Sequence, residues 1–85
     1  MGQHAVNIAY PIDGETYTNY FTSSFSTTCP GGQHDVEWGF DGSPVGNSTF
    51  YDQFSAQFSH KLPSGKHTFH VKSSCGSNEV TFNVK

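Results

Sequence analysis

The groups in this chain that could do chemistry are five histidines, two cysteines and seven acidic residues. A zinc site needs three or four ligands that converge on one point. His67 and His70 are three apart in a run that alternates as a strand, so they point to opposite faces and cannot chelate together. His60 shares the parity of Leu62 and is expected as a hydrogen-bonded core or rim side chain. No metal site is expected from His34, His60, His67 or His70. Serine and threonine are abundant, yet there is no G-x-S-x-G turn to present a nucleophile. The acids Asp13, Glu15, Asp35, Glu37, Asp41, Asp52 and Glu79 are scattered over turns and outward positions. Paired catalytic carboxylates need a cleft, for which so small a domain has little room. The chain is therefore expected to be no enzyme and to carry no cofactor.

Cys29 and Cys75 are better placed. Cys29 ends the run Phe21 to Thr28 and shares the face of Phe21 and Phe25. Cys75 ends the run Lys66 to Ser74 and shares the face of Phe69 and Val71. In a seven-strand sandwich the second and sixth strands end at one pole, so both sulfurs are expected there, pointing inward and bonded. The bridge would close a loop of 46 residues (75 − 29), worth about 4 kcal/mol of chain entropy. It implies an extracellular or periplasmic home; two free buried thiols are the alternative.

The elements that must position these groups are short. No stretch keeps a helical apolar period. Pro11, Pro30, Pro44 and Pro63, with nine glycines, punctuate the chain as turns between strands do. Strands are expected over 5–10, 20–29, 35–40, 54–62, 67–73 and 80–84, with a short edge strand and a loop within 45–53. Val6, Ile8 and Tyr10 fall on one face. Val36, Trp38 and Phe40 point inward, with Trp38 at the core centre against Phe25 and Phe69. The expected fold is all-β: an antiparallel β-sandwich of about seven strands with one disulfide, a single domain over residues 4–85.

Eighty-five residues with a net charge of −3 leave no basic footprint for nucleic acid or an anionic membrane. No apolar run approaches the roughly 20 residues that span a bilayer. Met1-Gly2-Gln3-His4 lacks the basic and apolar regions of a signal peptide. Asn47-Ser48-Thr49 is a glycosylation sequon, relevant only in a eukaryotic secretory setting.

Three segments carry a family resemblance: Tyr10-Pro11-Ile12-Asp13-Gly14, Val36-Glu37-Trp38-Gly39-Phe40-Asp41-Gly42, and Leu62-Pro63-Ser64-Gly65-Lys66-His67-Thr68. They resemble the P-x-D-G, V-x-W-x-x-D-G and L-P-x-G-x-H-T strings of bacterial Ig-like and PKD-like modules. The resemblance implies an Ig-like fold in which His67 takes a corner position often held by tyrosine. It further implies a non-catalytic accessory module of a secreted, polysaccharide-degrading bacterial protein. Such a module spaces or orients neighbouring domains of a larger chain, with weak carbohydrate contact. A protein-binding or adhesion module, pairing through its strand faces or edge, is the second expectation. His4-Ala5 followed by Pro11-Ile12-Asp13-Gly14 is similar to the opening of small periplasmic copper carriers, which are also Ig-like, and implies copper binding through a terminal histidine. The rest of that pattern is missing here.

The inward parity of most aromatic residues leaves Tyr17, Tyr20, Phe50 and Tyr51 in or near loops. These four are the expected ligand contacts if polysaccharide is bound, since rings stack on sugar faces. Neither sheet face is expected to carry an aromatic row.

Overall fold

The structure, a computed structural model, describes residues 6–85. It is all-β, with six strands: β1 (Val6–Tyr10), β2 (Thr16–Tyr17), β3 (Tyr20–Phe40), β4 (Ser43–Lys61), β5 (Gly65–Ser73) and β6 (Gly76–Val84). They form one curled sheet in the order β1-β3-β5-β6-β2, with β4 also paired to β3. Every ladder is antiparallel except the short parallel one between β2 and β6. The expected Ig-like all-β class is thus realised with six strands, close to the seven the punctuation suggests.

The difference lies in β3 and β4, which are 21 and 19 residues long. Pro30-Gly31-Gly32 reads locally as a stop between two strands. In the fold it is a bend within one strand. Gly31 and Gly32 take φ of +85° and +89°, which glycine adopts without steric cost. The register against β4 shifts between Cys29 and Gln33 and then resumes. β4 bends at the same level, through Asp52 at φ +64°. The 45–53 segment, expected as a short strand and a loop, is therefore the greater part of one arm of β4, and the 54–61 strand is its other arm. Asp41 and Gly42, both at positive φ, close the hairpin between β3 and β4 as a two-residue turn.

The bend wraps the sheet around its own core. Residues 20–29 of β3 lie between β1 and the second arm of β4, and residues 33–40 lie between the first arm and β5. Val6, Phe25, Phe69, Val71 and Phe82 are sealed from solvent between these halves. The phenyl ring of Phe69 packs 4.9 Å from Phe40 and 6.1 Å from Phe25, centroid to centroid. Trp38 has the expected inward parity but not the expected central place. It is half-buried, 5.2 Å from Phe25 and stacked on Phe54 at 5.9 Å. Its ring lies across Gly46, its partner on β4, where a Cβ would sit 2.5 Å from the indole.

Cys29 and Cys75 are bonded, with Cα atoms 6.0 Å apart. Cys29 is buried as expected. Cys75 is exposed, which corrects the inward placement of both sulfurs: β5 ends at Ser73, so Cys75 belongs to the β5–β6 turn and no longer follows strand parity. The bridge ties that turn to the bend of β3. Beside it the Ser74 N–H donates to the Asp35 carbonyl (3.1 Å), and the Asp35 N–H donates to Ser74 Oγ (3.0 Å).

Two outcomes follow for stability. Phe69→Ala should cost about 3–5 kcal/mol and Trp38→Ala less, because only the former empties a sealed site. Reduction of the disulfide should cost up to about 4 kcal/mol. Urea titrations of both variants, and of the native chain with and without reductant, measure these differences.

Candidate functional site

The outer face of β1, β3 and β4 is built by a fault in alternation. Ile8 opposes Phe25, but Tyr10 opposes Ser24, so Ala9 is an extra residue on β1. Such a bulge flips the side chains beyond it to the other face. Tyr10 therefore leaves the face of Val6 and Ile8 and stands outside, 50% exposed. It borders a shallow hollow of about 320 Å³ with Thr22, Ser24 and Gln57. Tyr20, 59% exposed, has the parity of Thr22 and Ser24 and lies about 13 Å along β3 from Ser24 at some 3.3 Å per residue. Between the two rings runs a comb of hydroxyls and amides, Thr22, Ser24, Gln57 and Ser59, which Ser26 and Ser55 continue beyond Tyr10. Thr22 Oγ1 and Ser59 Oγ lie within hydrogen-bond distance, 3.1 Å apart. Two separated rings on a polar, nearly uncharged face can stack on sugar rings and hydrogen-bond their hydroxyls.

The expected contact residues do not form one site. Tyr20 is exposed on this face. Tyr51 is 67% exposed but stands ten residues from Lys61, the partner of Tyr20, on the other arm of β4. Phe50 is 6% exposed; it is a strand residue turned inward, packed 5.9 Å from Phe54, which removes it from any ligand contact. Tyr17 is half-buried and stacked on Phe21 at 5.3 Å, and its hydroxyl accepts from the Ile12 N–H (2.8 Å). It caps the core. Tyr10, expected on the face of Val6 and Ile8, joins Tyr20 instead.

A second concavity, of about 640 Å³, opens between the two arms of β4. Trp38, Phe40, Val45, Phe54, Phe58 and His60 are among its lining side chains. His60 points inward as expected but is not hydrogen-bonded: both ring nitrogens are buried without a partner, among the rings of Phe40 (4.2 Å), Phe21 (4.5 Å) and Phe58 (5.1 Å). Desolvation lowers its pKa and keeps it neutral.

His67 does hold a corner. One ring nitrogen, Nδ1, donates to Asp41 Oδ2 (2.7 Å) and the other, Nε2, to the Pro63 carbonyl (2.8 Å). The Thr68 N–H donates to Asp41 Oδ1 (3.0 Å). With acceptors at both nitrogens, the ring is suited to its protonated form. The hydrogen bond to Asp41 raises the His67 pKa against a smaller desolvation effect, with help from Pro63 and the Asp41 charge. Desolvation pushes Asp41 up, but the bonds from His67 and Thr68 and the His67 charge together outweigh it and lower its pKa. This pair locks the start of β5 to the β3–β4 turn and is a structural device. Among the described residues no three His, Cys, Asp or Glu side chains are grouped to hold a metal, and no helix is long and apolar enough to cross a membrane. His4, the copper ligand that one resemblance implies, lies outside the described residues.

No family model matches the chain, and no curated protein or solved structure matches it.

The two inward histidines act on stability with opposite sign. His67, raised, stabilises fully below the ordinary histidine value of about 6.5 and loses this as pH rises through its folded value. Asp41, lowered, stabilises above about 3.9 and loses this as pH falls through its folded value. His60, lowered, costs stability as pH falls below about 6.5, because the unfolded chain then binds the extra proton. His60→Leu should therefore raise stability by about 1 kcal/mol near neutrality and leave an alkaline-side fall due to His67. Adding Asp41→Asn should abolish that fall. Urea midpoints from acid to alkaline pH for the three proteins measure both effects.

Proposed function

We propose that this chain is a non-catalytic accessory module of an extracellular, polysaccharide-active protein, and that it contacts carbohydrate through the outer face of β1, β3 and β4. The observation that carries the reading is the bulge at Ala9, which sets Tyr10 on the same face as Tyr20. The rings flank a run of Ser, Thr and Gln side chains with Lys61 as the nearest fixed charge. Stacking on the rings and hydrogen bonds to the comb are what a flat, neutral sugar chain requires. The disulfide fits an oxidising compartment, and the three strings that resemble bacterial Ig-like modules agree with a spacer built into a larger chain. Affinity is modest, because two rings without a deep groove bury little of the ligand.

Titration with chitin and cellulose oligosaccharides, followed by amide chemical shifts, should show changes centred on Tyr10, Ser24 and Gln57 with at least one of them. Tyr10→Ala and Tyr20→Ala should each weaken binding about two- to tenfold, the value of an aromatic contact of about 0.5–1.5 kcal/mol. Shifts centred instead on His70, Lys72 and Thr81 would overturn this face as the contact site, and none with any glycan would overturn the sugar-contact reading.

A further inference from the structure

β4 is a 19-residue strand with one ladder neighbour, β3, among the described residues. Its other edge offers unpaired backbone N–H and C=O groups. Long edges of this kind are normally blunted by charges, prolines or bulges, because they otherwise pair with another chain. The second arm carries none of these between Gln53 and Ser59: Gln53-Phe54-Ser55-Ala56-Gln57-Phe58-Ser59 has no charge and no proline. Its inward side chains Phe54, Ala56 and Phe58 are only half-buried. Such a segment combines the composition and exposure that favour strand addition.

The order of residues selects the partner. Phe-x-Ala-x-Phe is symmetric about Ala56. Laid antiparallel against itself with Ala56 opposite Ala56, it sets Phe54 opposite Phe58, Ser55 opposite Gln57, and Gln53 opposite Ser59, each pair occurring twice. The small residue falls on the twofold axis and large rings meet on either side. At the arm's ends Asp52 of one copy falls one step along the strand from Lys61 of the other, so opposite charges approach there. A twofold axis through Ala56 is compatible with either hydrogen-bonding phase, since a residue on the axis can form a bonded or a non-bonded antiparallel pair.

We propose that this edge is the contact between two copies of this chain, joined by antiparallel pairing of residues 53–59 about Ala56. The interface is isologous, so it closes at a dimer. It extends the sheet across both copies and brings a second set of Phe54, Ala56 and Phe58 side chains beside the half-buried rings of the first. The pairing is independent of the carbohydrate reading, and its readout is mass rather than ligand.

Sedimentation of the wild-type chain should show a concentration-dependent rise from 9.3 kDa to twice that mass. Ser55 and Gln57 are exposed and outside the core, so they can be changed without emptying it. Ser55→Lys with Gln57→Lys sets like charges opposite each other twice and should raise the dimer dissociation constant by at least about tenfold. Ser55→Lys with Gln57→Glu sets opposite charges at the same places and should keep the dimer. Circular dichroism should match wild type in both variants, and tryptophan fluorescence should match when all three are compared at a dilution where wild type is monomeric. A wild-type chain that stays monomeric at about 1 mM would overturn the proposal, as would a double-lysine variant that dimerises as tightly as wild type. A dimer that forms only after residues 1–5 are removed would overturn it too, and would make the chain's own N-terminal segment the occupant of this edge.

Discussion

β3 and β4 are paired from Phe40–Ser43 at the hairpin to Tyr20–Lys61 at the far end, and both turn at one level. On β3 the turn is made by two glycines in the left-handed region; on β4 it is made by Asp52. A flat hairpin of this length could not enclose a core. Bent there, it becomes two short layers joined at a crease, and the apolar faces of residues 20–29 and 33–40 look toward each other. Cys29 sits at the crease, and its bond to Cys75 fastens the β5–β6 turn to it. The other strands then have settled places: β1 on the free side of the first half of β3, β5 on the free side of the second, β6 beyond β5 and β2 beyond β6. At the opposite end of the sheet, His67 and Asp41 do the corresponding work, holding the entry of β5 against the hairpin turn.

Much of this was legible in the residues because most strands bury one face only. In Phe54 to Leu62, Lys66 to Ser73 and Val80 to Val84, period-two alternation records which side meets the core, and the structure keeps those parities. The disulfide was legible for the same reason on Cys29, but not on Cys75, where the chain leaves its strand two residues early. The crease was not legible. Pro30-Gly31-Gly32 has the composition of a turn, and whether a ladder resumes after it depends on Tyr51 and Asp52 of β4, which face it only once the hairpin has closed. Phe50 and Tyr51 show the same limit. Read as loop residues they are equivalent; once they are neighbours on a strand, one must face in and the other out.

Tyr10 is the sharpest case. A bulge is a mismatch of count between two strands, two residues against one, and no property of Val6 to Tyr10 alone reveals it. Yet that single extra residue turns a large ring away from the face of Val6 and Ile8 and gives the outer face its second aromatic group. The feature that carries the functional reading is therefore one that depends on pairing rather than on pattern. Trp38 differs in kind: its direction was legible, but its exposure depends on what stands beyond β4, which a local pattern does not contain.

The outer comb and the free edge draw on the same composition in β4. A face that meets neutral sugar hydroxyls gains nothing from fixed charge, and from Ser43 to Ser59 the only charged side chain is Asp52, at the crease. The same lack of charge leaves the edge without the usual barrier to pairing. On its second arm β4 is bonded on one side only and shields its inward side chains on one side only, and this is why Phe54 and Phe58 remain half-buried while Phe25 on β3 and Phe69 on β5 are sealed. The groove and the open edge are thus two views of one fact: among the described residues β4 has a single neighbour. Whatever supplies the second neighbour completes the ladder and covers the rings in one step, because backbone groups and apolar side chains are presented by the same residues.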